Sequence, residues 1–313
     1  MRPSQFDYIT DASVIAMMLT AIDVGGTGWV DQLAMRVDSD DGSEDYGWLG
    51  NVPGLHEFIG GRRVEELKEY SFKIDNKDFE SSIRVQRKDM RRDKMGMIER
   101  RVAQFGERVL GHPAKLLSTL ILNGESQICY DGQYFFDTDH KDRDEAAQSN
   151  DISKAIAAPA TPNAADMTDG IMAAIQAMYG FTDDQGEPTN QSAMQFLVMV
   201  PVTMMRAALE AVTALLASGG GTNLLPALKG KLDITVQVNP RLSSWSTKFA
   251  VFRTDGQVKP FVLQQEYDAE PWALGPDSEH CTKTGECMYG VDWGGNVGYG
   301  DWRGAVLVTF TQA

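Results

Sequence analysis

A chain of 313 residues that is 42% hydrophobic and 23% charged has the composition of an ordinary folded protein, with room for more than one domain. Its formal charge of −15 argues against a protein that grips nucleic acid by neutralising phosphates. No apolar run approaches the roughly 18 residues of a membrane span. Met1–Gln5 carries no basic-then-apolar leader, and three cysteines make no disulfide framework, so synthesis in a reducing compartment is expected.

The charge is uneven. Residues 1–61 hold 2 basic and 10 acidic side chains, 62–115 hold 15 and 10, and 116–313 hold 12 and 24, giving −8, +5 and −12. A basic segment in an acidic chain suits contact with acidic surfaces of other copies, although charge alone equally describes a solvated face.

In chain order, residues 1–22 are weakly helical, with Val14, Met17, Met18 and Ala21 at helical spacing. Residues 38–45 read as an acidic loop. A hairpin follows, with Leu67, Tyr70, Phe72 and Ile74 on one arm, Phe79, Ile83 and Val85 on the other, and residues 75–78 as its turn. Such a ribbon is marginal alone and its open edges invite association, so it is expected to lie on its own domain or on a neighbour.

Met95, Ile98, Val102, Phe105 and Val109 form one stripe of a helix over 93–110. Gly111 can close it and Pro113 can sit in the first turn of a second helix, faced by Leu116, Leu117, Leu120 and Ile121 and stopped at Asn123-Gly124. One kinked helix is the alternative. Residues 141–165 read as a loop or domain boundary, and Ile171, Ile175 and Met178 mark a helix over 166–179. A buried strand over 192–200 precedes a helix from Pro201 to Ala217, closed by Gly219-Gly220-Gly221. Strands are expected at 231–239, 247–253 and 258–267, then a β-like tail from Cys287 to Phe310 with a turn at Gly294-Gly295-Asn296. No 20–50-residue period repeats. The order is α+β in mixed arrangement, not a doubly wound parallel sheet.

Candidate chemistry is sparse. Asp23–Gly28 resembles a phosphate loop of sugar-kinase and actin-like enzymes, but no apolar strand precedes it and no second loop follows, so a surface turn is favoured. Asp137, Asp139 and His140, with Cys129 nearby, could ligate a metal; a hydrogen-bonded turn is the preferred reading. His280, Cys281 and Cys287 suggest zinc or a disulfide, with reduced thiols preferred. The methionines at 172, 178, 204 and 205 and the tryptophans at 245, 272, 293 and 302 read as core filling or interface anchors. Histidines at 56, 112, 140 and 280 are too scattered for acid–base work. No catalytic, cofactor or metal residue is therefore assigned and no enzyme is expected; one alternative is a phosphotransferase using Asp23–Gly28.

Three blocks in order carry a resemblance. They are Tyr46-Gly47-Trp48-Leu49-Gly50-Asn51-Val52-Pro53-Gly54-Leu55 with Gly60-Gly61-Arg62; Phe79-Glu80 through Gly111-His112-Pro113 to His140; and Lys259-Pro260-Phe261 with Met288 through Gly300. Together they resemble the Mu-like major head subunit (gpT) family of tailed phages. The resemblance implies the Hong Kong 97 (HK97) capsid fold, with an N-terminal arm over 1–56, an extended loop over 57–92, a peripheral domain over 93–150 and 255–313 carrying a long spine helix, and an axial domain over 151–254. It implies hexamers and pentamers of this chain in a closed virion shell, built in a bacterial cytoplasm. Scaffold, head protease and portal partners would be involved, with packaged DNA near by non-specific proximity and no membrane. Arg62, Arg63, Tyr70, Phe72, Arg84, Arg87, Lys88, Arg91 and Arg92 are then the expected inter-subunit contacts; a minor virion or decoration protein is the other alternative.

Overall fold

β-branched and aromatic runs collect into two main sheets flanked by helices. The structure is a computed structural model describing residues 14–16, 18–20, 28–46, 72–90, 96–141, 146–183, 186–214 and 223–313. In chain order the elements are α1 (Gly28–Leu33), β1 (Ala34–Asp38), β2 (Ser43–Asp45), β3 (Lys73–Asp75), β4 (Lys77–Gln86), α2 (Arg87–Met90), α3 (Met97–Leu110), α4 (His112–Leu122), β5 (Asp151–Ile156), α5 (Ala164–Gly180), β6 (Gln195–Val200), α6 (Met205–Thr213), α7 (Leu224–Ala227), β7 (Asp233–Val238), β8 (Lys248–Arg253), β9 (Phe261–Leu274), α8 (Glu279–Thr284), β10 (Glu286–Tyr299) and β11 (Ala305–Gln312).

One sheet runs β1-β9-β10-β4, with β1 parallel to β9 and the other pairs antiparallel. The other runs β5-β11-β8-β6-β7, with parallel pairs at both ends. A small antiparallel pair joins β2 to β3. The main core fills both sheets: Phe249, Phe252, Phe261, Val306 and Leu307 are fully buried. A second core gathers Val14 and Met18 with Ile98, Val102 and Phe105 of α3, the half-cystines Cys281 and Cys287, and Tyr289. Two of the four residues spaced helically near the N-terminus are thus packed; Met17 and Ala21 lie outside the described residues.

Several expectations change. Among the described residues the predicted ribbon does not pair with itself: β3 pairs with β2, whereas β4 pairs along its whole length with β10. The second arm finds its partner 200 or more residues downstream, a choice local pattern cannot reveal. Residues 43–45 of the acidic loop are that partner strand for β3. Within the expected 141–165 loop, 151–156 form β5, an edge strand parallel to β11. The expected turn at 294–296 lies inside β10. There a Cβ on Gly290 would sit 2.4 Å from Cζ2 of Trp272, and one on Gly294 2.2 Å from Cε1 of Tyr267. Those glycines make room for rings from β9, so a Gly-rich run is strand, not turn. The helix expected to reach Ala217 ends as α6 at Thr213. A disulfide joins Cys281 to Cys287 across a left-handed turn at Gly285 (φ 73°), where reduced thiols were expected.

The helix pair matches its pattern. Gly111 is right-handed (φ −72°), its N–H donates to Glu107 and its carbonyl accepts from Lys115, so helical bonding continues across the joint. Pro113 lies in the first turn of α4, where a missing N–H costs nothing. At α5, Asn163 accepts from Ala165 and Asp166 while Asp166 reaches back, a complete capping box.

Candidate assembly surface

Among the described residues strand β4 is an outer strand of its sheet, and its side chains are mostly exposed. Along it, between β4 and the α3–α4 pair, lie two cavities. One of about 550 Å³ is lined by Ile83, Arg84, Val85, Lys88, Ile98 and Arg101 among others. One of about 330 Å³ is lined by Phe79, Glu80, Arg108, His112, Lys115 and Trp293 among others. Their walls carry five cations, Arg84, Lys88, Arg101, Arg108 and Lys115, against the two carboxylates Glu80 and Asp89. The trough is therefore an apolar floor with basic rims, suited to an acidic or amphipathic surface. Its inner end is aromatic: the His112 ring is 4.3 Å from Phe79 and 5.5 Å from Trp293. Burial, and then the Lys115 charge, push the His112 pKa down, favouring the neutral ring.

The sequence-derived contact residues divide three ways. Arg84 is 67% exposed and reaches Glu286 of its own chain at 3.1 Å; Lys88 is exposed on the trough rim. Arg87 is half-buried, with its Nε enclosed and without a partner among the described residues. Phe72 is half-buried against the main core, so it serves the subunit's own packing. Arg62, Arg63, Tyr70, Arg91 and Arg92 lie outside the described residues, as does most of the Tyr46–Arg62 block. Pattern reading missed Arg101, Arg108 and Lys115. Their seven-residue spacing on one helical face was the available signal.

Among the sequence-derived metal candidates, the structure brings together Cys129 and His140, with Asp131 between them. Cys129 Sγ donates to Asp131 Oδ1 at 2.9 Å, and His140 Nδ1 lies 2.6 Å from Asp131 Oδ2. Burial opposes the Asp131 charge, but the bonds from His140 and Cys129 outweigh it and hold the carboxyl below its usual range. Asp137 instead accepts from the Tyr134 and Thr138 amides. Of the phosphate-loop residues only Gly28 is described, at the start of α1; residues 23–27 are not among those described.

This geometry has relatives. Residues 20–164 match the family described as Mu-like prophage major head subunit gpT. The major capsid protein of Escherichia phage Mu is 36% identical over 109 residues, which are 35% of this chain and 36% of that protein. The matched stretch is thus about a third of that relative's length. The procapsid protein of bacteriophage JBD30 superposes with a TM-score of 0.56 at 23% identity, over 100% of this chain and 77% of that one. The capsid protein of cyanophage P-SCSP1u gives 0.61 at 10% identity, over 91% and 88%. The fold is that of HK97-like phage capsid proteins. In that capsid fold, the basic trough and the outer edge of β4 lie beside the helix pair α3–α4.

Proposed function

We propose that this chain is the major head subunit of a Mu-like tailed phage or prophage, assembling with copies of itself into an icosahedral shell around packaged DNA. The observation that carries the reading is the superposition of the whole chain on a procapsid subunit, with the family match falling on its first half. The domain plan is an N-terminal arm over 1–56, an extended loop over 57–92, a peripheral domain over 93–150 and 255–313, and an axial domain over 151–254. Hexamers and pentamers form around the axial domains, and peripheral domains meet between capsomers. The protein works by association, not catalysis. Arg84, Lys88, Arg101, Arg108 and Lys115, with Arg62, Arg63, Arg91 and Arg92, meet acidic surfaces of neighbouring copies. Many weak contacts sum by avidity and permit correction before the shell closes. The acidic remainder keeps DNA from adhering to the wall. Scaffold, head protease and portal proteins complete the assembly.

The test is direct. The purified, concentrated protein, imaged in negative stain and sedimented across ionic strengths, is expected to give capsomers or closed shells. A species that stays monomeric under every condition overturns the reading.

A further inference from the structure

We infer that Cys129, Asp131 and His140 form a structural binding site for a zinc-class divalent cation in the loop between α4 and β5. The donors are one sulfur, one imidazole nitrogen and a carboxylate, and these atoms lie within 4.8 Å of one another. That mixture suits a borderline-soft metal such as zinc rather than magnesium or calcium, which favour all-oxygen sites. The cluster is enclosed: Cys129 is 3% and His140 0% exposed.

The hydrogen-bond pattern at His140 supplies an independent argument. Asn150 fixes one side of the ring. Its Nδ2 donates to the Phe135 carbonyl at 2.8 Å and its Oδ1 accepts from the Asp137 amide at 2.9 Å. The amide orientation is therefore set, and Oδ1 can only accept from His140 Nε2, 3.2 Å away. His140 Nε2 thus carries hydrogen. On the other side Nδ1 meets a carboxylate oxygen, another acceptor. Nδ1 is thereby turned toward the Asp131 carboxylate and the Cys129 sulfur, the direction a metal-binding nitrogen must face. An Nε2–H held by an amide oxygen is the outer-sphere bond that orients metal-binding histidines. Stacking on Trp302 at 4.0 Å and 7° fixes the ring plane. The Cys129–Gln133 turn is equally fixed: Gln133 donates to Asp131 Oδ1, Cys129 donates to the Gln133 carbonyl, and Gly132 occupies the left-handed region (φ 87°).

The exchange balances. Without metal, a neutral thiol and an Asp131–His140 pair sharing one proton along its 2.6 Å contact sum to zero. With it, M²⁺, a thiolate, a carboxylate and a neutral imidazole also sum to zero. Binding forms bonds from sulfur, carboxylate oxygen and Nδ1, and releases two protons, one from Sγ and one from the Asp131–His140 contact. The buried net charge is unchanged, so no uncompensated charge enters the interior. Zinc bonds of about 2.0–2.3 Å place ligand atoms roughly 3.5 Å apart, so the present contacts open by about an ångström as the carboxylate turns. Water or the second Asp131 oxygen takes the fourth position.

The probe is the metal itself. Chelator-treated full-length protein dialysed against Zn²⁺ is expected to hold about one zinc per chain by elemental analysis. Its thermal midpoint should rise. Co²⁺ in its place should give a near-ultraviolet thiolate-to-cobalt band. That band should survive in a Cys281→Ser/Cys287→Ser variant and vanish, with the zinc, in Cys129→Ser. The wild-type cobalt spectrum decides the matter even if Cys129→Ser fails to fold. Wild-type protein that takes up no zinc and shows no thiolate band, or a folded Cys129→Ser variant that retains a full equivalent, overturns the assignment.

Discussion

Phe135 is fully buried, stacked on Tyr299 at 4.6 Å and flanked by Phe136 and Phe261. Nothing polar compensates for its removal. Phe135→Ala is expected to cost the subunit about 3–5 kcal/mol, read by urea unfolding. His112 makes a subtler prediction. Its pKa is lowered in the fold, so the folded protein holds the neutral ring while the unfolded chain, near pKa 6.5, takes up a proton more readily. That contribution to stability is present above about pH 6.5 and is lost as pH falls below it. The thermal midpoint should therefore drop between neutral pH and pH 5.5, and His112→Phe should remove that part of the drop. Because His112 Nε2 is enclosed without a partner among the described residues, the same variant should lose little at neutral pH. Calorimetry of both proteins over that range checks it. At this scale the sequence was partly legible: Cys129 and His140 stood out by type, while Asp131 was overlooked because a turn, not spacing, carries it to them.

Strand β4 and the helix pair raise the assembly question. The Arg84–Glu286 pair is largely solvated, and such pairs contribute about 0–1 kcal/mol, so reversing the charge disturbs the subunit little. Arg84→Glu with Lys88→Glu, or Arg101→Glu with Arg108→Glu, is expected to leave the unfolding midpoint almost unchanged while abolishing particles in negative stain. Normal shells from both double variants would remove the trough from the interface. Helices were the legible elements. The stripe of Ile98, Val102 and Phe105 and the Gly111–Pro113 joint predicted α3 and α4 closely, because a helix satisfies its own backbone. Strands were harder, since their partners are remote. The 151–156 stretch looks polar because β5 is an edge strand, and β10 looks like turns because its glycines lie under Trp272 and Tyr267. The ribbon was recognised by alternation, yet among the described residues its first arm pairs with β2 and its second with β10.

For the whole molecule, the split of −8, +5 and −12 lets the basic segment of one copy face the acidic remainder of another in the proposed shell, against the repulsion that a net −15 imposes. Exposed charges more than about 8–10 Å apart are screened at physiological salt, so the rate of assembly should fall steeply as ionic strength rises. Time-resolved light scattering over a salt series measures it; salt-independent assembly would point to apolar contacts instead. The five-stranded sheet also imposes an order on manufacture. Strand β11 lies between β5 and β8, and β5 bonds to nothing else in that sheet. A ribosome that stops before residue 305 releases a polypeptide with the 151–156 segment unclaimed and one flank of 248–253 bare. Such a fragment exposes sticky backbone and invites proteolysis. Translation through β11 is thus expected to separate stable chains from protease-sensitive fragments, since only a chain made that far closes the gap.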